Sequence, residues 1–165
     1  MRNKRAYTLI CPMTQRLDID NLAQIQLCAG HNLRMITRAV TQHFDNKLRP
    51  LGLRVSQFSI LGVLAVIDSI TPEAITMTAL ADRLMLDRTT LARNLEPLER
   101  DALVQIVPGK DRRTRLVRLT EQGHAKLAEG FPRWQEAQAQ IVDAFGEQRW
   151  QELRNELHEL ATLTM

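Results

Sequence analysis

Residues 78–119 read TALADRLMLDRTTLARNLEPLERDALVQIVPGKDRRTRLVRL, and the hydrophobic period changes inside this stretch. The first half repeats apolar residues at helical spacing: Ala79, Leu80 and Leu84, then Leu91, Leu95 and Leu98 after a short break. Thr78 is the expected N-cap of the first short helix and Asp87 that of the second. A side-chain oxygen at such a position accepts from N–H groups that the first turn leaves without carbonyl partners. Two short helices joined by a tight turn predict a helix-turn-helix. The second half loses the helical period. Val104-Gln105-Ile106-Val107 and Arg115-Leu116-Val117-Arg118-Leu119 have strand character, and Pro108-Gly109-Lys110-Asp111 is a cluster of turn formers. Two short strands around a glycine-containing turn predict a hairpin, or wing.

On a wheel of about 100° per residue, Leu91, Leu95 and Leu98 share a narrow arc of the helix from Arg88 to Arg100. Thr89, Arg93 and Arg100 fall opposite, with Thr90 and Pro97 beside them. Short hydroxyls and guanidiniums suit a helix that enters a DNA major groove, where arginine can donate twice to guanine and threonine reaches base edges or phosphate. The candidate base-reading set is therefore Arg88, Thr89, Thr90, Arg93, Asn94 and Arg100. Glu96 on the same face opposes phosphate unless it is paired. Pro97 lacks an N–H and is expected to kink the helix without ending it, because Leu98 and Leu103 continue the buried pattern.

The hairpin carries the second candidate set: Lys110, Asp111, Arg112, Arg113 and Arg115. An arginine at a wing tip can enter a narrow minor groove, where the negative potential is strongest, and Asp111 can orient a neighbouring guanidinium. Charge along the chain supports a local polyanion contact. Residues 104–118 hold five basic side chains against Asp111 alone, whereas the whole chain is only +3 and residues 121–165 are net acidic.

Long amphipathic helices flank the stretch. From Asn21 to Leu48, apolar residues recur at Leu22, Ile25, Ala29, Leu33, Ile36, Val40 and Phe44, before Pro50 and Gly52 end the run. Ser56 is the expected cap of the next helix, with Phe58, Ile60, Leu61 and Leu64 inward. Thr120 is the expected cap of a helix that turns Leu127, Phe131, Trp134, Ile141 and Phe145 inward and is kinked or broken at Pro132. After Gly146 a last helix shows Trp150, Leu153, Leu157 and Leu160, a narrow seam like that of a coiled coil. Leu22, Ile25, Phe145, Trp150, Leu153, Leu157 and Leu160 are thus candidate dimerisation residues. The expected fold is mainly α, a winged helix-turn-helix with a two-strand wing and long N- and C-terminal dimerisation helices. The expected domains are a basic arm over 1–16, a dimerisation helix over 17–54, a winged-helix domain over 55–120 and C-terminal dimerisation helices over 121–165.

Several classes are excluded. No apolar run approaches the roughly 18 residues that a membrane helix needs, and the basic start lacks the apolar stretch of a secretory signal, so a cytoplasmic location without membrane contact is expected. No GxSxG, P-loop, dinucleotide fingerprint or metal motif occurs, so neither enzyme activity nor a cofactor is expected. Cys28 and His31 stand one helical turn apart, but His43 is twelve residues further on, and no four-ligand metal set forms. The two cysteines, Cys11 and Cys28, make no CxxC pair.

Residues 78–123 resemble the MarR family of winged-helix regulators. The resemblance lies in Thr78-Ala-Leu-Ala-Asp-Arg-Leu, Leu86-Asp-Arg-Thr-Thr-Leu-Ala-Arg-Asn-Leu, Leu98-Glu-Arg-Asp-Ala-Leu-Val and Asp111-Arg-Arg-Thr-Arg-Leu-Val-Arg-Leu-Thr-Glu-Gln-Gly, with Asp111 and Arg113 at the family's Asp-x-Arg wing motif. It implies an obligate homodimer in which the first and last two helices intertwine, with each subunit offering one lobe to double-stranded DNA at a pseudo-palindromic operator. It further implies a repressor released by a small, aromatic or phenolic, effector. Cys28 with His31 is similar to the sensor cysteine of the family's oxidant-responsive branch, which makes a thiol-based repressor the alternative. The tyrosines that accompany that cysteine are not evident here; the chain's single tyrosine is Tyr7. A small buried packing role is the simpler expectation for Cys28. From another class, a winged-helix protein–protein adaptor that does not bind DNA is the second alternative. Met85 and Ala102 stand where the family commonly has glycine, which predicts modified turns at both places.

Overall fold

The computed structural model describes residues 24–71, 74–109, 111 and 114–163. A 3-10 turn at Gln24–Leu27 precedes α1 (Ala29–Leu48), and a second at Arg49–Leu51 precedes α2 (Val55–Ile70). Then come β1 (Ile75–Thr76), α3 (Met77–Arg83), α4 (Arg88–Arg100), β2 (Val104–Pro108), β3 (Arg115–Leu119), α5 (Glu121–Phe145) and α6 (Glu147–Leu163). The chain divides into two compact units, Met1–Ala39 and Val40–Met165, and all of the winged-helix elements lie in the second.

In the first unit the expected helix from Asn21 is corrected. The α-helix starts at Ala29, after the 3-10 turn, and the Asn32 amide ties the junction by donating to the Cys28 carbonyl at 3.0 Å and the Gln26 carbonyl at 2.6 Å. Leu22 and the side chain of Ile25, both expected at a dimer seam, lie outside the described residues, as does the basic arm over 1–16. No single described helix is long and apolar enough to cross a membrane.

In the second unit, leucines from every layer close one core. Leu48, Ile60, Leu61, Leu80, Leu91, Leu95 and Val117 are fully buried, and Leu98 is 1% exposed. Removing such a side chain from water is worth about 1.5–3 kcal/mol, so the stripe on α4 anchors that helix to the body. β2 and β3 form the expected antiparallel hairpin, in the register Val104↔Leu119, Ile106↔Val117 and Pro108↔Arg115. β1 adds a third strand on the other edge of β3, pairing Ile75↔Val117 and Thr76↔Leu116.

That third strand explains one correction. The cap of α3 is Thr76, not Thr78: its side chain accepts from the Ala79 N–H at 3.1 Å. A cap residue must be extended, and pairing with β3 holds Thr76 at φ −69°, ψ 148°. A second correction concerns Ser56. α2 begins at Val55 with Arg54 as its cap residue, because Gln57 Oε1 accepts from the Arg54 N–H at 2.9 Å and Asp45 Oδ1 accepts from the Val55 N–H at 2.7 Å. Thr120 caps α5, accepting from the Gly123 N–H at 2.9 Å while its hydroxyl donates to the Ala102 carbonyl at 2.7 Å.

Pro97 and Pro132 both sit inside unbroken helices. Phe131, expected inward, is 46% exposed. Gly123 is required by close approach: a Cβ there would come within 2.1 Å of the Leu103 carbonyl oxygen. The two turns expected to be modified are not. Met85 and Ala102 adopt the left-handed conformation themselves, at φ 51° and 56°, and so carry the strain that glycine avoids.

Candidate nucleic-acid interface

The exposed face of α4 is built from the helix's N-terminus onward. Asp87 is its cap residue: Oδ1 accepts from the Thr90 N–H at 2.9 Å and Oδ2 from the Thr90 hydroxyl at 2.6 Å. These two bonds, the hydroxyl first, hold the Asp87 carboxyl below its ordinary pKa of 3.8. The helix start is therefore fixed and the carboxylate is occupied.

The structure sorts the six candidate base readers into two groups. Arg88 donates to Thr78 Oγ1 at 2.6 Å, tying α4 back to α3. Thr90 is committed to Asp87. Asn94 donates to the Thr90 carbonyl at 2.9 Å and accepts from the Ser56 hydroxyl at 2.8 Å. Arg100 donates to Asp101 at 3.0 Å, a bond that also raises its pKa. Thr89 and Arg93 are exposed, and among the described residues neither side chain has a hydrogen-bond or ion-pair partner. They share one exposed stripe, opposite the buried leucines, with Arg100 a further two turns on.

In the hairpin the buried residues Val104, Val117 and Leu119 face the core, while Arg115 and Arg118 are exposed. The Arg118 guanidinium donates to Gln105 Oε1 across the strands, its Nε at 2.9 Å. The tip is closed by the Gly109 N–H donating to the Thr114 carbonyl at 2.8 Å and the Thr114 N–H donating to the Asp111 carbonyl at 2.9 Å. Lys110, Arg112 and Arg113 lie outside the described residues.

Behind the helix-turn-helix, a cavity of about 670 Å³ opens between α2 and α5. Trp134 stacks on Phe58 (centroids 6.3 Å apart) and on Phe131 (5.6 Å), and these rings form its walls. Ser59, Ser69 and Arg83 are its polar groups. Sequence reasoning missed Arg83. It sits in the last turn of α3, distant in sequence from the α2 and α5 residues that line the cavity with it. Sequence reasoning also missed the roles of Ser56 and Thr78, whose partners lie 38 and 10 residues away.

Cys28 is a free, exposed thiol, so the expected buried packing role does not hold. His31 is also exposed. Among the described residues no three histidine, cysteine, aspartate or glutamate side chains come together to hold a metal ion. The seam of α6 is open: Leu153, Leu157 and Leu160 are 37%, 38% and 37% exposed, and Phe145 and Trp150 are half-buried.

A capped helix with a free polar stripe, a preceding short helix tied to it and a hairpin with a basic tip define a winged-helix transcriptional regulator. No family model matches the chain. It is similar to the HTH-type transcriptional regulator YwoH of Bacillus subtilis (strain 168), with 30% identity over 99 residues, 60% of this chain and 69% of that one. Among solved structures, the M. tuberculosis transcriptional regulator MosR in complex with DNA superposes with a TM-score of 0.74 at 36% identity, over 83% of this chain and 96% of that one. A MarR-family transcriptional regulator from Rhodococcus sp. RHA1 shares the fold, with a TM-score of 0.68 at 24% identity over 90% and 96% of the two chains. The chain belongs to the MarR family of winged-helix transcriptional regulators, and its relatives are regulators, not enzymes.

Proposed function

We propose that the chain is a homodimeric, cytoplasmic repressor that binds a pseudo-palindromic duplex, α4 entering the major groove and the 108–115 wing the adjacent minor groove. The observation that carries this reading is the division of labour on α4. Arg88, Thr90, Asn94 and Arg100 are engaged within the protein and hold the helix in place, whereas Thr89 and Arg93 are left for an outside partner. The domain division into a dimerisation helix over 17–54, a winged-helix domain over 55–120 and C-terminal dimerisation helices over 121–165 belongs to the same reading. α6 has no buried residue, and its leucine seam faces outward in a single chain, as a surface for a second copy would. Fluorescence anisotropy with the duplex upstream of the protein's own gene and with a random duplex tests the DNA reading. Tight, salt-sensitive preference for the first is expected. Arg93→Ala should erode that preference, and Arg113→Ala should weaken binding to both duplexes and flatten the salt dependence. Equal binding of both duplexes by the wild type overturns the reading, and no binding of either favours a protein–protein adaptor.

The cavity is the proposed effector site. Its volume and aromatic walls suit a small planar ligand, and Arg83 offers a cation from the helix-turn-helix itself. A Cβ at Gly62 would meet nothing within 4 Å, so a larger side chain there extends into the cavity. Gly62→Ile should keep DNA binding and lose release by aromatic ligands. Retained release would move the effector elsewhere. A second reading rests on the exposure of Cys28: oxidation of this thiol would release DNA. Peroxide should then lower the affinity of the wild type and leave Cys28→Ser unchanged; an equal response in both removes Cys28 from the mechanism.

A further inference from the structure

α5 is held at two places along its 25 residues. Its start belongs to the winged-helix body. The Thr120 hydroxyl donates to the Ala102 carbonyl at 2.7 Å, Gly123 packs against the Leu103 carbonyl too closely for a Cβ, and His124 Nε2 donates to Asp68 Oδ2 of α2 at 3.0 Å. Further along, the last two turns of α1 grip it. His43 Nε2 donates to the Ala137 carbonyl at 3.1 Å, and Lys47 pairs with Glu136.

Between these clamps the helix carries the two residue types least suited to a helix interior, Gly130 and Pro132. Close approach explains Gly130: a Cβ there would come within 2.7 Å of the Phe58 ring. Pro132 is exposed, and packing gives no such reason for it. Its nitrogen has no hydrogen to give the Ala128 carbonyl, and its ring crowds that carbonyl, so α5 lacks a backbone bond midway between its clamps. Phe131 beside it is 46% exposed and lines the cavity of about 670 Å³, which leaves space for movement on that side.

We propose that Pro132 is a positioning residue for operator choice: α5 pivots there, so each winged-helix lobe adjusts its place and the protein accepts half-sites whose spacing differs by one base pair. The inference rests on the two-lobe DNA-binding reading above. One extra base pair moves a half-site by about 3.4 Å and turns it by about 35°. Shared between two lobes, that is about 1.7 Å and about 17° for each. From Pro132 back to Glu121 the arm of α5 is about 16 Å long, so the shift needs a bend of only about 6°. Sharp kinks at proline exceed about 20°, whereas an uninterrupted helix curves only gently. Both displacements therefore lie within the reach of a proline pivot.

The test compares the full-length chain with Pro132→Ala, which restores the missing N–H at an exposed position and should melt no lower than the wild type. Hydrogen exchange on the free chains reads the pivot itself. The Phe131, Arg133 and Trp134 amides should exchange about tenfold more slowly in the variant, with the Ala137 amide unchanged. Anisotropy reads the consequence, on the duplex upstream of the gene and on the same duplex with one base pair inserted at its centre of symmetry. Both proteins should bind the first duplex alike, and the insertion should cost the variant about tenfold more affinity than the wild type. Equal exchange at the three amides overturns the pivot. An equal loss in both proteins on the inserted duplex overturns its role in operator choice while leaving DNA binding by α4 and the wing intact. Failure of the wild type to bind either duplex overturns the DNA-binding reading, and with it operator choice, while exchange still decides the pivot.

Discussion

Two helices of this chain carry the same leucine spacing, four residues and then three, and meet opposite fates. On α4, Leu91, Leu95 and Leu98 are 0%, 0% and 1% exposed; on α6, Leu153, Leu157 and Leu160 are 37%, 38% and 37% exposed. Spacing fixes which face of a helix is apolar and not what covers it. α4 finds its cover in α2, β2 and the rest of the body within one chain. α6 leaves more than a third of each seam leucine exposed within one chain, and its seam is where a second copy of the chain is expected to pack.

The largest expected effect separates the two stripes directly. Leu95→Ala should lower the unfolding free energy by about 2–5 kcal/mol in urea titrations, because it leaves a cavity in a closed core. Leu157→Asp should instead act on association. Sedimentation equilibrium should give the wild type twice the 18.9 kDa chain mass and shift the variant toward 18.9 kDa. If both substitutions unfold the protein without changing its assembly, the contrast between the stripes is wrong.

A smaller effect probes the turns that frame α4. Met85 before it and Ala102 after it hold positive φ without being glycine. Met85→Gly and Ala102→Gly should each stabilise the body by about 1 kcal/mol, since a left-handed residue with a Cβ costs about that much. Calorimetry should show a higher midpoint for each variant; a lower one would mean that the side chains contribute packing that outweighs the strain.

The smallest effect is a pH dependence at the α4 cap. Thr90 holds the Asp87 pKa below 3.8 in the folded state. A carboxylate depressed on folding adds stability above its unfolded pKa and loses it as pH falls through the folded value. Asp87→Asn should therefore melt below the wild type near neutral pH, and the gap should close in acid, well under pH 3.8. A gap that stays constant with pH would take the charge of Asp87 out of the cap.

Most of the fold was legible because α4, the hairpin and α5 each carry enough residues to show a period. β1 was not, because two residues cannot display one. The error at Thr78 followed from that omission: two threonines stand two positions apart, both able to cap, and strand pairing at Thr76 chooses between them. Ser56 was misread for a similar reason, since Gln57 and Asp45 satisfy the start of α2 in its place. Phe131 looked like core by spacing, yet it lines a cavity and stays 46% exposed. On α4 the wheel gave the polar face, but not the bonds that commit Arg88, Asn94 and Arg100 and leave Arg93 free, because each depends on a neighbour brought in by the fold or on a side-chain rotamer.

The most direct test of the whole scheme is the mass of the protein–DNA complex, measured by sedimentation of the full-length chain with the duplex upstream of its gene. Two lobes joined through the open seams of α6 predict two chains on each duplex, with no intermediate carrying one. A complex of one chain per duplex, or free chains beside free duplex at every ratio, would contradict it.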